Sequence, residues 1–172
     1  MTLVLAPGPA AAGVARRIRI TGVVQGVGFR PFVHRLAIRY SLAGSVRNVG
    51  GEVHLTVRGP AVAVDAFIAA LVREAPPLAR IEHVEVESAR GGGGAHARFV
   101  IEPSRDPVGL RQPVPADTAP CAACEAELFD PRNRRFRYPF ITCTDCGPRF
   151  TVIEAMPYDR ERTSMRAFTH CA

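Results

Sequence analysis

The chain has no lysine: all 22 of its basic residues are arginine. With so much alanine, glycine and proline around them, this reads as codon composition, so the formal charge of +6 is set aside as an argument for nucleic-acid binding. No apolar run approaches the roughly 20 residues that a membrane-crossing helix needs, which excludes such a helix. The first 15 residues have no basic stretch and are broken by Pro7, Gly8 and Pro9, so a secretory signal is not expected. A cytoplasmic chain with no membrane partner is therefore the expectation. Cysteine is scarce, five in 172 residues, and in a reducing compartment its paired spacing points to metal before disulfide.

Hydrophobic residues make up 47% of the chain, enough for a core, while the 15 glycines and 15 prolines gather in a few stretches that mark boundaries. Four segments are expected: a disordered leader over 1–15, a compact domain over 16–103, a Pro-rich linker over 104–120 and a cysteine region over 121–172.

Within the domain, residues 17–24 alternate as a strand, with Ile18 and Ile20 on one face and Arg17, Arg19 and Thr21 on the other. A glycine-containing loop follows, and then Pro31, a residue favoured at the first position of a helix. Val33, Leu36, Ala37 and Tyr40 fall on one face of that helix, which Gly44 can end. Residues 45–49 and 52–58 flank Gly50 and Gly51, a pair suited to a tight hairpin, and put Val53, Leu55 and Val57 toward the core. Pro60 opens a second helix carrying Val64, Phe67, Ile68 and Leu71, and Pro76 and Pro77 close it. Strand-like segments recur at 84–86 and 98–102 around the flexible run 91–94. The order β-α-β-β-α-β, with a further short strand, is the ferredoxin-like α/β sandwich.

The loop Gln25, Gly26, Val27, Gly28, Phe29, Arg30 is the first candidate site. A strand, a glycine turn and a helix start bring backbone N–H groups together where the helix dipole is positive, and Arg30 can grip two phosphate oxygens. The same spacing also fits a plain tight turn with a solvent-facing arginine. Residue identity separates the two. The run Gly22-Val23-Val24-Gln25-Gly26-Val27-Gly28-Phe29-Arg30 resembles the signature of the acylphosphatase family, and Ser45-Val46-Arg47-Asn48 resembles its second signature. The resemblance implies a catalytic pair: Arg30 binds the phosphoryl group and Asn48 orients the attacking water. Of the five histidines, His34, His54, His83 and His96 share no spacing and read as surface or half-buried side chains.

The second candidate site is Cys121-x2-Cys124-x18-Cys143-x2-Cys146, two C-x-x-C turns that together complete a tetrahedral, closed zinc site. Four thiolates and one divalent ion contribute −2, taking the formal charge from +6 to +4. Zinc binding is on the order of 10 to 16 kcal/mol in comparable modules, so this segment is expected to fold only with metal. Between the pairs, residues 130–140 interleave arginine with aromatics. Such a patch could stack on nucleic acid, or pack its aromatics beneath the metal turns and expose the arginines to another domain.

From Cys121 through Cys143-Thr144-Asp145-Cys146-Gly147-Pro148-Arg149-Phe150 to Pro157-Tyr158-Asp159-Arg160 and Thr163-Ser164-Met165, the region resembles the zinc-finger region of the HypF family, carbamoyltransferases of [NiFe]-hydrogenase maturation. That family joins an acylphosphatase-like domain directly to such a region, so the resemblance covers residues 16–172. It implies carbamoyl phosphate as substrate, one structural zinc, and hydrogenase maturation proteins or further transferase domains as partners, with nucleic acid not expected. It also implies a fragment that stops one cysteine, Cys171, into a second finger and lacks ATP-dependent transfer. The alternative is a non-catalytic anion-binding module whose finger docks a protein or nucleic acid.

Overall fold

A computed structural model describes residues 13–89, 96–105, 118–143, 145–147, 149–156 and 159–168. Strand β1 (Gly13–Val23) leads through the glycine loop into helix α1 (Phe29–Arg39). Strands β2 (Ala43–Val49) and β3 (Glu52–Pro60) form the hairpin, helix α2 (Ala61–Arg73) follows, and strands β4 (Arg80–Ser88) and β5 (Phe99–Ile101) complete the domain. The sheet order is β4-β1-β3-β2-β5; all pairs are antiparallel except β2 with β5.

One layer of side chains makes the core. Ile18 and Ile20 of β1, Val46 of β2 and Val53, Leu55 and Val57 of β3 point to the same side as the buried faces of α1 and α2. Phe67 of α2 is wholly buried and meets Tyr40 edge-on, with ring centroids 6.4 Å apart. The period of two along each strand and of 3.6 along each helix put these residues together, and their removal from water is the main driving force for the domain. On the other side of the sheet the same alternation presents Arg17, Arg19, Arg47, His54, Glu85 and Glu87.

Several local expectations shift. Of the expected leader, residues 1–12 lie outside the described residues, and Gly13, Val14 and Ala15 open β1, because they pair with Pro60, Gly59 and Arg58 at the far end of β3. Pro31 sits at the third position of α1, still within the first turn where its missing N–H costs nothing. Gly44 does not end α1 but lies inside β2; Ser41 takes the left-handed position instead, at φ 53°. Gly44 is needed where it is because a Cβ there would meet the Thr56 carbonyl oxygen at 1.9 Å. The strand expected over 84–86 runs from 80 to 88, held along its length by β1. The glycine run 91–94 and most of the expected linker are outside the described residues. Ser104 and Arg105 are described, and the Arg105 N–H donates to the Asn48 carbonyl at 2.9 Å.

The cysteine module is built on one helix, α3 (Ala122–Phe129), and on irregular segments tied by two short 3-10 turns, Phe150–Val152 and Arg160–Arg162. The first C-x-x-C is therefore a helix start, with Cys121 as N-cap and Cys124 inside α3. Phe136, Tyr138 and Phe140 are not packed beneath the metal turns and stay more than a third exposed.

Candidate phosphate cleft and metal centre

Gly26 and Gly28 adopt left-handed conformations, φ 70° and 71°, which turn the chain sharply between β1 and α1. Gly28 is the N-cap of α1, no side chain caps that end, and its first turn holds no acidic residue. The positive end of the dipole therefore faces the loop without an internal anion. Gln25, Gly26, Gly28, Phe29 and Arg30 line a cleft of about 320 Å³ together with Thr142, Cys143, Gly147, Asp159 and Arg160 from the cysteine module. Both modules build its walls.

Arg30 is mostly buried and held at both ends of its guanidinium. Nη1 donates to Ser104 Oγ at 3.1 Å, and Nη2 donates to Asp159 Oδ1 at 2.9 Å in an ion pair. Asn48 occupies a core-facing position of β2, where alternation would otherwise call for an apolar residue, and is 1% exposed. Its Oδ1 is buried without a hydrogen-bond partner, and so is Gln25 Oε1. Buried acceptors without donors are rare and costly, so each is a place for a water or a ligand. Asn48 does not line the cleft itself. It connects to it through the chain, since its carbonyl takes the amide of Arg105 next to the Ser104 that holds Arg30. Gln25 Nε2 donates to the Glu52 carbonyl at 3.2 Å, tying the loop to the hairpin. The structure thus brings loop residues and Arg30 to one cleft and leaves Asn48 off its lining, on a core-facing position of β2; Val27 serves the core, at 3% exposure. Among the described residues the histidines form no cluster: His54 pairs with Glu52, His96 with Glu102, His34 lies against the Phe99 ring, and His83 is exposed on β4.

Cys121, Cys124, Cys143 and Cys146 converge, with all four Sγ atoms within 4.8 Å of one another. The separations 3.6 Å (Cys121 to Cys143), 3.7 Å (Cys124 to Cys146) and 3.7 Å (Cys143 to Cys146) are far too long for a disulfide. They match the sulfur spacing of about 3.8 Å that a tetrahedron with 2.3 Å zinc–sulfur bonds requires. The consecutive pairs close one metal-binding site. Burial pushes the Cys124 thiol up. Burial acts the same way on Cys146, but backbone hydrogen bonding from Cys121 and Cys143 and the Arg149 guanidinium outweigh it and bring that thiol down to about 6. Arg149 fixes the site from outside: Nη2 donates to Cys146 Sγ at 3.1 Å, Nε to the Ile141 carbonyl at 2.8 Å and Nη1 to the Thr118 carbonyl at 3.0 Å.

Metal centre and cleft share a wall. Gly147, next to Cys146, lies so close to the glycine loop that a Cβ on it would meet the Gly26 carbonyl oxygen at 2.7 Å. Ser104, Thr142, Gly147, Asp159 and Arg160 had no assigned role in the sequence reading. Thr142, Gly147, Asp159 and Arg160 fall within the stretch that resembles the HypF finger, Ser104 falls in the expected linker, and none sits in a periodic element. Cys171 lies outside the described residues.

This architecture places the chain among α/β-sandwich proteins of acylphosphatase type that carry a cysteine finger. Residues 16–101 match the acylphosphatase family and residues 121–153 match the HypF finger, so the chain belongs to the acylphosphatase family over its first domain and bears a HypF finger behind it. Carbamoyltransferase HypF2 of Cupriavidus necator is 50% identical over 155 residues, 90% of this chain and 19% of that protein. An acylphosphatase of Caldivirga maquilingensis is 43% identical over 82 residues, 46% of this chain and 85% of that protein. The crystal structure of a full-length HypF in its phosphate- and nucleotide-bound form superposes with a TM-score of 0.86 at 42% identity, over 96% of this chain and 22% of that one. The chain spans about a fifth of the length of the HypF relatives it matches. Among the described residues no helix is long and apolar enough to cross a membrane.

Proposed function

We propose that this chain hydrolyses small acyl phosphates, carbamoyl phosphate foremost, with Arg30 binding the phosphoryl group and Asn48 holding the attacking water. The observation that carries this reading is the buried, unpartnered Asn48 Oδ1, on a residue whose backbone is tied through Arg105 to the Ser104 that holds Arg30 at an uncapped, arginine-ended loop. An acyl phosphate is already a mixed anhydride with a good leaving group. Loop amides and Arg30 spread the phosphoryl charge, Asn48 Oδ1 accepts a hydrogen bond from one water, and that water adds at phosphorus. A carboxamide is no base, so the water's proton passes to a phosphoryl oxygen of the substrate as the carboxylate leaves.

The ion we propose for the four cysteines is zinc. Four thiolates leave no open coordination position, so the metal supplies folding energy and no catalytic step. We further propose that in a longer chain of HypF type this domain works beside ATP-dependent transfer domains, with hydrogenase maturation proteins as the partners of that assembly. A second reading, an anion-binding module without turnover, is favoured by the Asp159 carboxylate already seated on Arg30.

Phosphate release from carbamoyl and acetyl phosphate separates the two. Loss of a charge-stabilising donor costs roughly 100-fold to 1000-fold in turnover, so Arg30→Ala should fall by that order, and Asn48→Ala should lower turnover by removing the acceptor that orients the water. Near wild-type rates in Arg30→Ala, or no release by the unmodified chain, would leave only the binding reading.

A further inference from the structure

A carboxylate is the wrong charge for an anion site. Asp159 Oδ1 nevertheless sits 2.9 Å from the Arg30 guanidinium on the wall of the cleft, with 30% of its side chain open to solvent. It comes from the finger module, 129 residues away in sequence. Its own backbone is fixed, because the Arg162 N–H donates to the Asp159 carbonyl at 2.8 Å at the start of the second 3-10 turn. Oδ2 has no partner among the described residues. Any phosphoryl group reaching Arg30 must therefore share the guanidinium with a like charge, a penalty that falls on every acyl phosphate alike. Only an acyl group bearing N–H donors can recover it, by donating to that carboxylate. A carbamoyl group ends in an amide NH2; an acetyl group ends in a methyl.

On the reading of the cleft as a phosphoryl site, we propose that Asp159 is its specificity-determining residue: the carboxylate accepts a hydrogen bond from the carbamoyl NH2 and disfavours acyl phosphates without one. The finger thus supplies selection for the acyl end, while the loop and Arg30 hold the phosphoryl end. A donor-to-carboxylate bond at a partly solvated site is worth about tenfold in affinity.

The test uses the zinc-loaded full chain and two unreactive analogues that differ only in NH2 against CH3, phosphonoacetamide and 2-oxopropylphosphonate, measured by calorimetry. The unmodified chain should bind the amide about tenfold more tightly. Asp159→Ala should abolish that preference, chiefly by strengthening binding of the ketone. Asp159→Asn keeps the size and an acceptor without the charge, and should show an intermediate ratio. A residue that merely braced Arg30 would weaken both analogues equally. Equal affinities in the unmodified chain, or an undiminished preference in Asp159→Ala and Asp159→Asn, overturn the role of Asp159. Binding that survives Arg30→Ala overturns the phosphoryl reading beneath it.

Discussion

Replacing Gly147 by alanine tests whether the metal module is a working wall of the phosphate cleft. At φ 71° an L-residue costs about 1–2 kcal/mol relative to glycine. The new Cβ would also lie 2.7 Å from the Gly26 carbonyl oxygen, a backbone atom that cannot swing aside. Relief of that contact adds about 1 kcal/mol in displaced packing, for a total of about 2–3 kcal/mol. For a chain of this size each kcal/mol lowers the thermal midpoint by about 2–4 °C, so a fall of about 5–10 °C is expected. Gly51→Ala is the matched control, because its φ is 96° but nothing lies within 4 Å of the added Cβ. It should carry the conformational cost alone. The displaced Gly26 carbonyl belongs to the anion loop, so Gly147→Ala should also weaken inorganic phosphate binding about tenfold, while Gly51→Ala leaves it unchanged. Thermal unfolding, calorimetry with phosphate and metal content together make the assay. Equal effects of the two alanines on stability and on phosphate affinity would refute the shared wall.

Two further outcomes follow from the same geometry. Stripping the metal with a strong chelator should unfold the cysteine module and expose residues 121–168 to protease; zinc should restore protection at one ion per chain, and a protected metal-free module would count against the four-thiolate site. Burial raises the Glu102 carboxyl, but the Ser45 hydroxyl, the His96 ring and Arg47 hold it below its ordinary value of 4.5. Such a group adds stability that is fully present above 4.5 and is lost as pH falls through the lower folded value. Denaturant titrations of Glu102→Gln should therefore show a deficit at pH 7 that shrinks in acid, and a deficit independent of pH would contradict the assignment.

Much of this protein follows from short stretches of its chain. Alternation placed Ile18, Ile20, Val53, Leu55 and Val57 on one face, and helical spacing did the same for Val33, Leu36, Val64 and Phe67, because burial period is a property of a dozen adjacent residues. The glycine loop ending at Arg30 and the two C-x-x-C pairs are likewise local patterns, the first legible through the identity of its residues and the second through its spacing. What such patterns cannot encode is which distant groups meet. The start of β1 at Gly13 depends on its pairing with the end of β3, and the place of Gly44 on a close approach to Thr56. The hold of Ser104 and Asp159 on Arg30, across 74 and 129 residues, and the contact of Gly147 with Gly26 follow from how a sandwich and a cysteine module pack against one another. Those residues belong to no periodic element, so only the packed chain could put a carboxylate beside the arginine of the candidate anion site.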